Sequence, residues 1–514
     1  MLIYILSFNI LNKYLYYIIQ YIIKEVIIMN PENEDSFYDF LQSQITDTPL
    51  SLNNELSNMG VKFNHRDDFD EIKLLMDEFI DGNNVNRYIV LPGLRGVGKT
   101  TILFQAYDYL LNQKNINPEQ ILYFSCEELN KIEDCDIYDT VKYYLKTFHN
   151  SSLQTLNEKI FLLVDESHFD KDWSISGKLI NDKSKNIFMI FTGSSAINLE
   201  YNAEAARRMI RYPITPLNYS QHLKLKYNYQ TDISNDLVDL LFNGNVDAAI
   251  IKENKINRDL LNLKNYNSMD WDNYFKFGGF PSVMHDTNYR NASKKLYYSV
   301  ETVVTKDLGT MNNLTANTQT NALRLMKFLA EKYPGDISQN ALANKIKTSA
   351  GSVNTIMDLL EKTHLIFHTE PYAGANARAK KSWQYYFATP SIMHAINLKF
   401  GFSSIKLSEY EGILLETLVG SNLVNLKNSE RFFDFGIFYD TYKVKKQRVD
   451  FIIKKDFDEV IPIEVGHGNK GTSQINDAIR RYKAPHGIVI SDTTKTIEKV
   501  DNVIFVPIKT FSLM

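Results

Sequence analysis

The first part of the chain alternates short apolar runs with longer segments in which apolar residues recur at helical spacing. Three mainly apolar runs stand at positions 87–91, 159–164 and 186–191. Strands that are buried on both faces of a parallel sheet have such continuous apolar sequences, whereas amphipathic helices repeat every three to four residues. The pattern therefore predicts an α/β domain with a parallel sheet and helices on its faces.

A glycine-rich loop follows the first run and leads into a helical pattern at 102–111. Its sequence has the spacing of a phosphate-binding P-loop, in the strand-loop-helix context that this loop needs. Backbone N–H groups of such a loop turn towards phosphate oxygens, and the helix presents its positive N-terminus to the same anion. The predicted ATP-binding residues are Gly93, Leu94, Arg95, Gly96, Val97, Gly98, Lys99, Thr100 and Thr101.

Three of these side chains have separate expected roles. Lys99 is predicted to reach the β- and γ-phosphates, and the hydroxyl of Thr100 is predicted to bind Mg²⁺. Arg95 stands at the tip of the loop, where surface exposure and contact with a phosphate or a neighbouring subunit are alternatives.

The other two apolar runs also end in polar residues. Asp165 and Glu166 follow the second run. A carboxylate at the end of a buried strand can hold Mg²⁺, and the next carboxylate can polarise the attacking water, so we assign Asp165 to the metal and Glu166 to the base. After the third run, Ser194 is a candidate γ-phosphate sensor, with a capped turn as the alternative.

The middle of the chain contains three helical patterns and then two strand-like runs around a polar tip. The helical patterns lie at 321–332, 338–345 and 349–362. The spacing of the second and third is typical of a helix-turn-helix, and the whole order predicts a winged helix with Arg378, Lys380 and Lys381 near the tip of the wing. The third helix has few cations, and phosphate contacts dominate DNA affinity. A structural or protein-docking module is therefore the alternative to DNA binding.

A long apolar helix and further strand patterns follow from residue 406. Asp450 and Glu464 lie on neighbouring predicted strands. Cations are grouped close to them in the sequence, at Lys443, Lys445, Lys446, Arg448, Lys454 and Lys455. This basic patch predicts a nucleic-acid contact, and a strand edge protected by lysines is the alternative.

The order of these motifs resembles that of prokaryotic, archaeal-type AAA-like P-loop ATPases, in which a winged helix and a restriction-nuclease-like domain follow the ATPase domain. The likeness continues at Phe-Gly-Gly-Phe-Pro, residues 277–281, and extends from about residue 67 to the end of the chain. The resemblance implies catalytic roles for Lys99 and Glu166. It also makes Arg208 the counterpart of the family arginine, which would compensate transition-state charge in cis or in trans. Surface salt bridging is the alternative for this arginine.

The C-terminal strands resemble the PD-(D/E)xK nuclease core, in which carboxylates bind a divalent metal and a lysine orients or activates water. The resemblance assigns this site to Asp450 and Glu464, with Glu416 as the carboxylate of the preceding helix. Gly466 occupies the position of the lysine. We therefore expect a degenerate nuclease-like domain that binds nucleic acid or a partner.

Composition adds further limits. Lys and Arg total 57 and Asp and Glu total 61, so no whole-protein field favours nucleic acid or a membrane. Two cysteines, Cys126 and Cys135, are too few for a disulfide framework, which favours a reducing cytoplasm. Residues 1–28 are rich in Ile, Leu and Tyr but contain interrupting polar residues. Upstream sequence included by start-site choice and an amphipathic surface helix are the two explanations.

These observations predict a multidomain α/β protein. The expected units are an N-terminal appendage (1–66), a P-loop ATPase core (67–225), a helical extension (226–316), a winged helix (317–400) and a degenerate nuclease-like domain (401–514). The leading hypothesis is a Mg²⁺-dependent ATPase, a switch or motor that acts on DNA or on a protein partner, with a homo-oligomer as one form. An ATP-gated metal-dependent DNA nuclease and a nucleotide-binding scaffold without significant hydrolysis are the alternatives.

Overall fold

The computed structural model describes most of the chain from residue 31 onward. The described ranges are 31–58, 60–132, 135–194, 203–286, 288–307, 315–331, 338–378, 381–401, 405–429, 434–455, 459–468 and 471–514. The segment 1–28 and Lys380 at the predicted wing tip lie outside them, so the expectations for both stay predictions.

An α/β domain forms the first part of the described chain. Its elements are α1 (Pro31–Glu55), β1 (Ser57–Asn58), β2 (Val61–Lys62), α2 (Asp67–Ile80), β3 (Tyr88–Gly93), α3 (Lys99–Asp108), β4 (Ile121–Ser125), α4 (Cys126–Ile132), α5 (Ile137–His149), β5 (Ile160–Asp165), α6 (Trp173–Lys183), β6 (Ile187–Ser194) and β7 (Ile210–Arg211). Five strands form one sheet in the order β4-β5-β6-β3-β7, and all neighbours in it are parallel. The predicted parallel α/β sheet is confirmed, and the carboxyl ends of its strands meet at one edge.

Alternate residues of β3, β4, β5 and β6 pack into two apolar layers. On β3, Ile89 and Leu91 belong to the layer that also contains residues of α2 and α3. Tyr88 and Val90 belong to the opposite layer, with residues of α1, α5 and α6. Because side chains alternate between the faces of a strand, burial on both faces requires a continuous apolar sequence. This is the physical origin of the apolar runs in the sequence.

A helical extension follows the sheet. Its helices are α7 (Tyr219–Tyr227), α8 (Ser234–Asn243), α9 (Asp247–Asn262), α10 (Met269–Phe277), α11 (Pro281–Met284) and α12 (Tyr289–Thr302), and a π-helical turn (Val303–Asp307) continues α12. Their buried faces join the same apolar layer as α3, as Leu223, Ile256 and Leu296 illustrate. The extension therefore packs directly on the domain of the parallel sheet.

The remainder of the described chain is built around a second sheet. The elements are α13 (Ala316–Ala330), α14 (Gln339–Ile346), α15 (Ala350–Lys362), β8 (Ile366–Pro371), α16 (Ala375–Arg378), β9 (Gln384–Phe387), α17 (Pro390–Phe400), α18 (Leu407–Asn428), β10 (Gly436–Tyr439), β11 (Phe451–Lys454), β12 (Val460–Gly466), α19 (Ser473–Tyr482), β13 (Gly487–Ser491), β14 (Glu498–Val500), β15 (Val503–Pro507) and α20 (Ile508–Phe511). The sheet has eight strands in the order β14-β15-β13-β12-β11-β10-β8-β9. None of the described helices has both the length and the apolar character that a membrane crossing requires.

The two strands predicted as a wing are part of this second sheet. β8 and β9 pair antiparallel, as a hairpin would, but β8 also pairs in parallel with β10, where Tyr439 lies opposite Pro371. The expected division at residue 400 therefore does not separate two sheets. An alternating pattern specifies which face of a strand is buried and does not specify its neighbour, so the sequence alone could not have indicated this pairing.

The end of the chain contacts the start of the helical extension. The Tyr219 N–H group donates a hydrogen bond to the carbonyl oxygen of Ser512 at 2.8 Å. Next to it, Asn218 Nδ2 donates to the carbonyl oxygen of Met514, also at 2.8 Å. The C-terminal segment thus contacts the start of α7, which is the first helix after the parallel sheet.

Candidate functional site

The glycine-rich loop joins β3 to α3, and the side chain of Lys99 bonds back to the backbone of this loop. Gly96 and Gly98 have φ angles of 84° and 98°, in the left-handed region that favours glycine. Lys99 Nζ donates hydrogen bonds to the carbonyl oxygens of Gly93 at 3.0 Å and Leu94 at 3.1 Å. Burial lowers the pKa of Lys99. The loop therefore surrounds a buried amine whose position suits a phosphate anion.

A carboxylate from β5 faces the loop across the edge of the sheet. Thr100 Oγ1 donates a hydrogen bond to Asp165 Oδ2 at 2.7 Å, and Thr192 of β6 donates to Asp165 Oδ1. Burial and the neighbouring Glu166 raise the pKa of Asp165. The two residues that the sequence assigns to Mg²⁺, Thr100 and Asp165, are thus in direct contact.

Glu166 adopts an unusual backbone conformation beside this pair. Its φ is 49°, and its N–H group lies 3.1 Å from Asp165 Oδ1 and 3.2 Å from Thr192 Oγ1. Left-handed backbone is costly for a residue other than glycine and is found mainly where the surroundings enforce it, often at functional sites. Here the turn directs the Glu166 carboxylate towards the P-loop, where Oε1 lies 3.9 Å from Arg95 Nη1.

Three buried polar atoms at this edge have no hydrogen-bond partner among the described residues. They are Glu166 Oε2, His168 Nε2 and Ser194 Oγ. Glu166 Oε2 lies 3.2 Å from His168 Nδ1, but that nitrogen accepts from the Ser194 N–H group and so has no proton to donate to the carboxylate. Buried polar groups are nearly always paired, by protein, water or a ligand. The unpaired atoms, together with the buried Lys99 amine, therefore fit a site for a polar ligand such as Mg²⁺ with ATP phosphates.

His168 is the site residue that the sequence interpretation missed. It lies in the turn Ser167–Phe169, and its Nδ1 atom is 3.4 Å from the Ser194 N–H and 3.2 Å from Glu166 Oε2. Burial lowers the pKa of His168 to about 4, so the ring is neutral near pH 7 and forms no ion pair with the carboxylate. The sequence signal that could have identified His168 is its position two residues after Glu166, on the turn that follows β5.

The motif at 277–281 packs against the P-loop. The Ser282 N–H group donates to the carbonyl oxygen of Gly96 at 3.3 Å, and the Leu217 N–H group donates to Gly279 at 2.8 Å. A Cβ atom on Gly96 would lie 2.6 Å from Ser282 Oγ, and the φ angle of 84° at this position also favours glycine. The motif therefore joins the helical extension to the phosphate-binding loop.

Arg208 lies near the amino ends of the parallel strands, whereas the P-loop lies at their carboxyl ends. It precedes β7, whose Ile210 pairs with Ile89 near the start of β3. Its Nε atom donates to Asp182 at 2.8 Å, in the last turn of α6, and the side chain is 46% exposed. Arg208 thus forms the surface salt bridge that was the alternative for this arginine, and its role in trans stays a prediction. A role in cis at the phosphates does not fit this geometry, because P-loop and Arg208 are at opposite ends of β3.

Each of the three carboxylates expected in the nuclease-like domain accepts a hydrogen bond from another group of the chain. Glu416 accepts from Tyr386 OH (2.8 Å), Asp450 from the Val465 N–H (2.6 Å) and Glu464 from Gln474 Nε2 (2.8 Å). Within the described ranges, no group of three or more His, Cys, Asp or Glu side chains is arranged to hold a metal ion. The Mg²⁺ site predicted at the P-loop would differ in kind, because substrate phosphates and water would supply most of its ligands.

The predicted basic patch is partly used for contacts inside the chain. Lys455 Nζ donates to Asn243 Oδ1 of α8 at 3.0 Å, and Arg448 Nε donates to a backbone carbonyl of its own loop at 2.6 Å. Lys443 and Lys446 are exposed. Some cations of the patch therefore bond to other parts of the chain, whereas others lie exposed at the surface.

A parallel sheet with a P-loop after β3 and a carboxylate pair after β5 defines the class of protein: a P-loop ATPase of the AAA type. The family model described as "AAA domain" matches residues 85–223 and confirms the expected AAA-like domain. Models described as domains of unknown function match residues 268–404 (DUF8612) and 411–511 (DUF4143). The winged-helix and restriction-nuclease resemblances stay predictions.

Relatives define the family more closely. The chain is 31% identical over 476 residues to the uncharacterized protein MJ1637 of Methanocaldococcus jannaschii, which covers 93% of this chain and 94% of that relative. The chain belongs to the same family as this archaeal protein. An uncharacterized protein of Haemophilus influenzae is 24% identical over 394 residues, 73% of this chain and 81% of the relative. Among solved structures, the Aeropyrum pernix ORC1 protein in complex with DNA is similar at a TM-score of 0.31 and 11% identity, covering 67% of this chain and 95% of that one.

Proposed function

We propose that this protein is a Mg²⁺-dependent ATP hydrolase that works as an AAA-type switch or motor. The observation that carries the proposal is the contact of Thr100 with Asp165 at 2.7 Å directly beside the P-loop, with Glu166 next to it. A hydroxyl and a carboxylate this close offer two oxygen ligands to one cation, and the adjacent carboxylate has an unpaired oxygen for a water molecule.

The proposed roles follow from these positions. Lys99 binds the β- and γ-phosphates, and Thr100 and Asp165 hold Mg²⁺, which neutralises phosphate charge when bound. Glu166 accepts a proton from the attacking water, and Ser194, at the end of β6, contacts the γ-phosphate or that water. Each role uses a side chain at the carboxyl edge of the sheet, where open α/β sheets bind their ligands.

The proposed output is a change in how the helical extension and the second sheet sit on the ATPase domain. The extension already contacts the loop through the hydrogen bond from Ser282 to Gly96. A bound nucleotide shifts such an arrangement only by its differential affinity for the two states, so contacts made at the loop itself are the natural route. DNA, a protein partner or further copies of the chain are the proposed targets. The content of only two cysteines supports a reducing cytoplasm as the location.

A nuclease function is not proposed. Its three expected carboxylates are hydrogen-bonded to groups of the chain itself, and Gly466 takes the place of the lysine. The scaffold alternative, binding without hydrolysis, is separated from the proposal by the experiment that follows.

Steady-state ATP hydrolysis tests the proposal directly. We expect Glu166→Gln to retain ATP binding and to lose turnover by about 100-fold or more, because a general base contributes at least that much. Lys99→Ala should abolish ATP binding, and chelation of Mg²⁺ should abolish turnover of the wild type. Glu498→Gln makes the same chemical change at an exposed position of β14 and should match the wild type.

Turnover in the presence and absence of duplex DNA then identifies the kind of target. Stimulation that is lost in Glu166→Gln would support a DNA-coupled ATPase, and turnover indifferent to DNA would favour a protein partner. Equal and negligible turnover in the wild type and Glu166→Gln would contradict the hydrolase and leave the scaffold.

A further inference from the structure

The guanidinium of Arg95 is held by a carboxylate from a distant part of the chain. Arg95 Nη2 lies 2.9 Å from Asp307 Oδ1, and Nε lies 3.3 Å from Oδ1 and 3.2 Å from Oδ2. Asp307 is only 1% exposed and ends the π-helical turn that continues α12. A planar guanidinium offers one edge with two donors to a carboxylate, which fixes its orientation far better than a lysine amine could be fixed.

The remaining nitrogen of Arg95 points to the reaction side. Nη1 lies 3.9 Å from Glu166 Oε1, the carboxylate proposed as the base. Although burial alone would lower the pKa of Arg95, the hydrogen bonds to Asp307 and the charge of Glu166 raise it, so the group stays positive. One edge of this cation is thus fixed by the helical extension, while Nη1 faces the carboxyl ends of the strands, where Glu166 lies.

An arginine in this position can supply the charge that the sequence interpretation assigned to Arg208. Phosphoryl transfer spreads negative charge over the oxygens of the γ-phosphate, and a positioned arginine stabilises it. Arg208 donates a hydrogen bond to Asp182 at the amino ends of the strands, away from the P-loop. Arg95 belongs to the loop that wraps the phosphates, so its distance from the reacting group is set by the loop itself.

We propose that Arg95 binds the γ-phosphate of ATP through Nη1, and that Asp307 is the positioning residue that holds Arg95 in that orientation. The inference rests on the proposed ATPase function and adds to it a residue for discriminating ATP from ADP. It also joins the γ-phosphate contact to the helical extension, because Asp307 lies at the end of α12.

Nucleotide affinities and turnover test both parts of the inference. For Arg95→Ala, we expect the ratio of ATP to ADP affinity, measured by calorimetry, to fall at least about tenfold, with kcat falling by a similar factor or more. Arg95→Lys keeps the charge and cannot hold both partners, so it should fold, bind ADP normally and show the same loss in ratio. Asp307→Asn should lower kcat about tenfold with ADP affinity unchanged, and the double variant Arg95→Ala/Asp307→Asn should be no worse than Arg95→Ala alone.

A matched pair elsewhere controls for the loss of a buried ion pair as such. Asp440, directly after β10, is 1% exposed and accepts from Nη2 of Arg481 in α19 at 2.7 Å. Asp440→Asn should reduce thermal stability without changing the ratio of ATP to ADP affinity. If Asp307→Asn behaves in the same way, Asp307 is structural and its positioning role is overturned.

The inference and the proposed function fail in different ways. An Arg95→Lys variant with the wild-type affinity ratio and the wild-type kcat would overturn the role of Arg95 and leave the ATPase intact. A wild-type protein that binds neither ATP nor ADP would overturn both.

Discussion

Single side chains at the P-loop edge are held in costly arrangements. Glu166 has a left-handed backbone, which costs on the order of 1–3 kcal/mol for such a residue. The hydrogen bonds of its N–H group to Asp165 and Thr192 offset that cost. Asp165 and Glu166 also belong to the proposed metal and base site, so the local strain and the proposed chemistry depend in part on the same contacts.

Buried histidines should make the stability of the protein depend on pH. His394 lies in α17 and lines a cavity of about 270 Å³ with Lys276 and Tyr410, and its Nδ1 atom is 2.7 Å from Tyr410 OH. Burial, with a smaller effect of the Lys276 charge, lowers the pKa of His394 to about 4 from an ordinary value of 6.5. The folded state therefore binds this proton less readily than the unfolded state.

The sign of the effect follows from this difference. Above pH 6.5 the ring is neutral in both states, and as pH falls towards 4 the unfolded state takes up the proton first, which destabilises the fold. Through His394, the wild type should lose about 2 kcal/mol of unfolding free energy between pH 7 and pH 5. The variant His394→Gln should not show this part of the loss. Urea unfolding at the two pH values measures this loss. The dependence between pH 7 and pH 8 should be unchanged, and an unaltered loss at pH 5 would show that His394 is not the responsible group.

Among the elements, strand β8 has the least expected neighbour. It begins a hairpin with β9 that follows three helices, yet its other edge pairs with β10. The Tyr372 N–H group, just after β8, also donates to the carbonyl oxygen of Tyr439 at 2.9 Å. The hairpin that follows α13 to α15 is therefore joined to β10 through a ladder of backbone hydrogen bonds.

A chain ending at residue 400 tests this connection. Without β10, the backbone groups of β8 would be left unpaired at an open edge, and such edges promote aggregation. We expect the truncated protein to be insoluble or associated by size-exclusion chromatography. Co-expression of residues 401–514 as a separate chain should restore a soluble complex. A soluble, monomeric and cooperatively unfolding protein ending at residue 400 would instead show an independent domain.

At the scale of the whole molecule, Glu253 connects the helical extension with the second sheet. This carboxylate of α9 is 1% exposed. It accepts hydrogen bonds from the Ile497 N–H group at 2.7 Å and from Thr510 Oγ1 at 2.5 Å. His486 adds a contact of 3.1 Å to the carbonyl oxygen of Leu241 in α8. The C-terminal region is therefore docked through buried polar contacts that can transmit a shift of the extension.

Removal of this carboxylate should loosen the docking selectively. Glu253→Ala leaves two buried donors unpaired, at a cost of about 3 kcal/mol. We expect faster amide hydrogen exchange over residues 497–514 and unchanged exchange in β3, β5 and β6 of the ATPase sheet. Glu498→Gln, at an exposed position of the same region, is the matched control. Equal exchange in Glu253→Ala and the wild type would mean that other contacts hold the C-terminal region in place.

The sequence by itself determined the ATPase half. The apolar runs predict buried parallel strands, and the carboxyl ends of parallel strands meet at one edge, so Lys99, Thr100, Asp165 and Glu166 could be expected together before any coordinates. Each signal is local: a strand, a glycine-rich turn and the start of a helix lie within a few residues of one another. His168 lay within reach of the same reasoning, since it follows Glu166 by two positions.

Only the tertiary structure decided which distant segments meet. Arg95 and Asp307 are 212 positions apart, and nothing in either segment specifies the other. The partner of β8 and the position of Arg208 at the far edge of the sheet were undetermined for the same reason. A periodic pattern tells which side of an element is buried, because burial of apolar surface drives folding, whereas the choice of neighbour depends on how all the elements pack together.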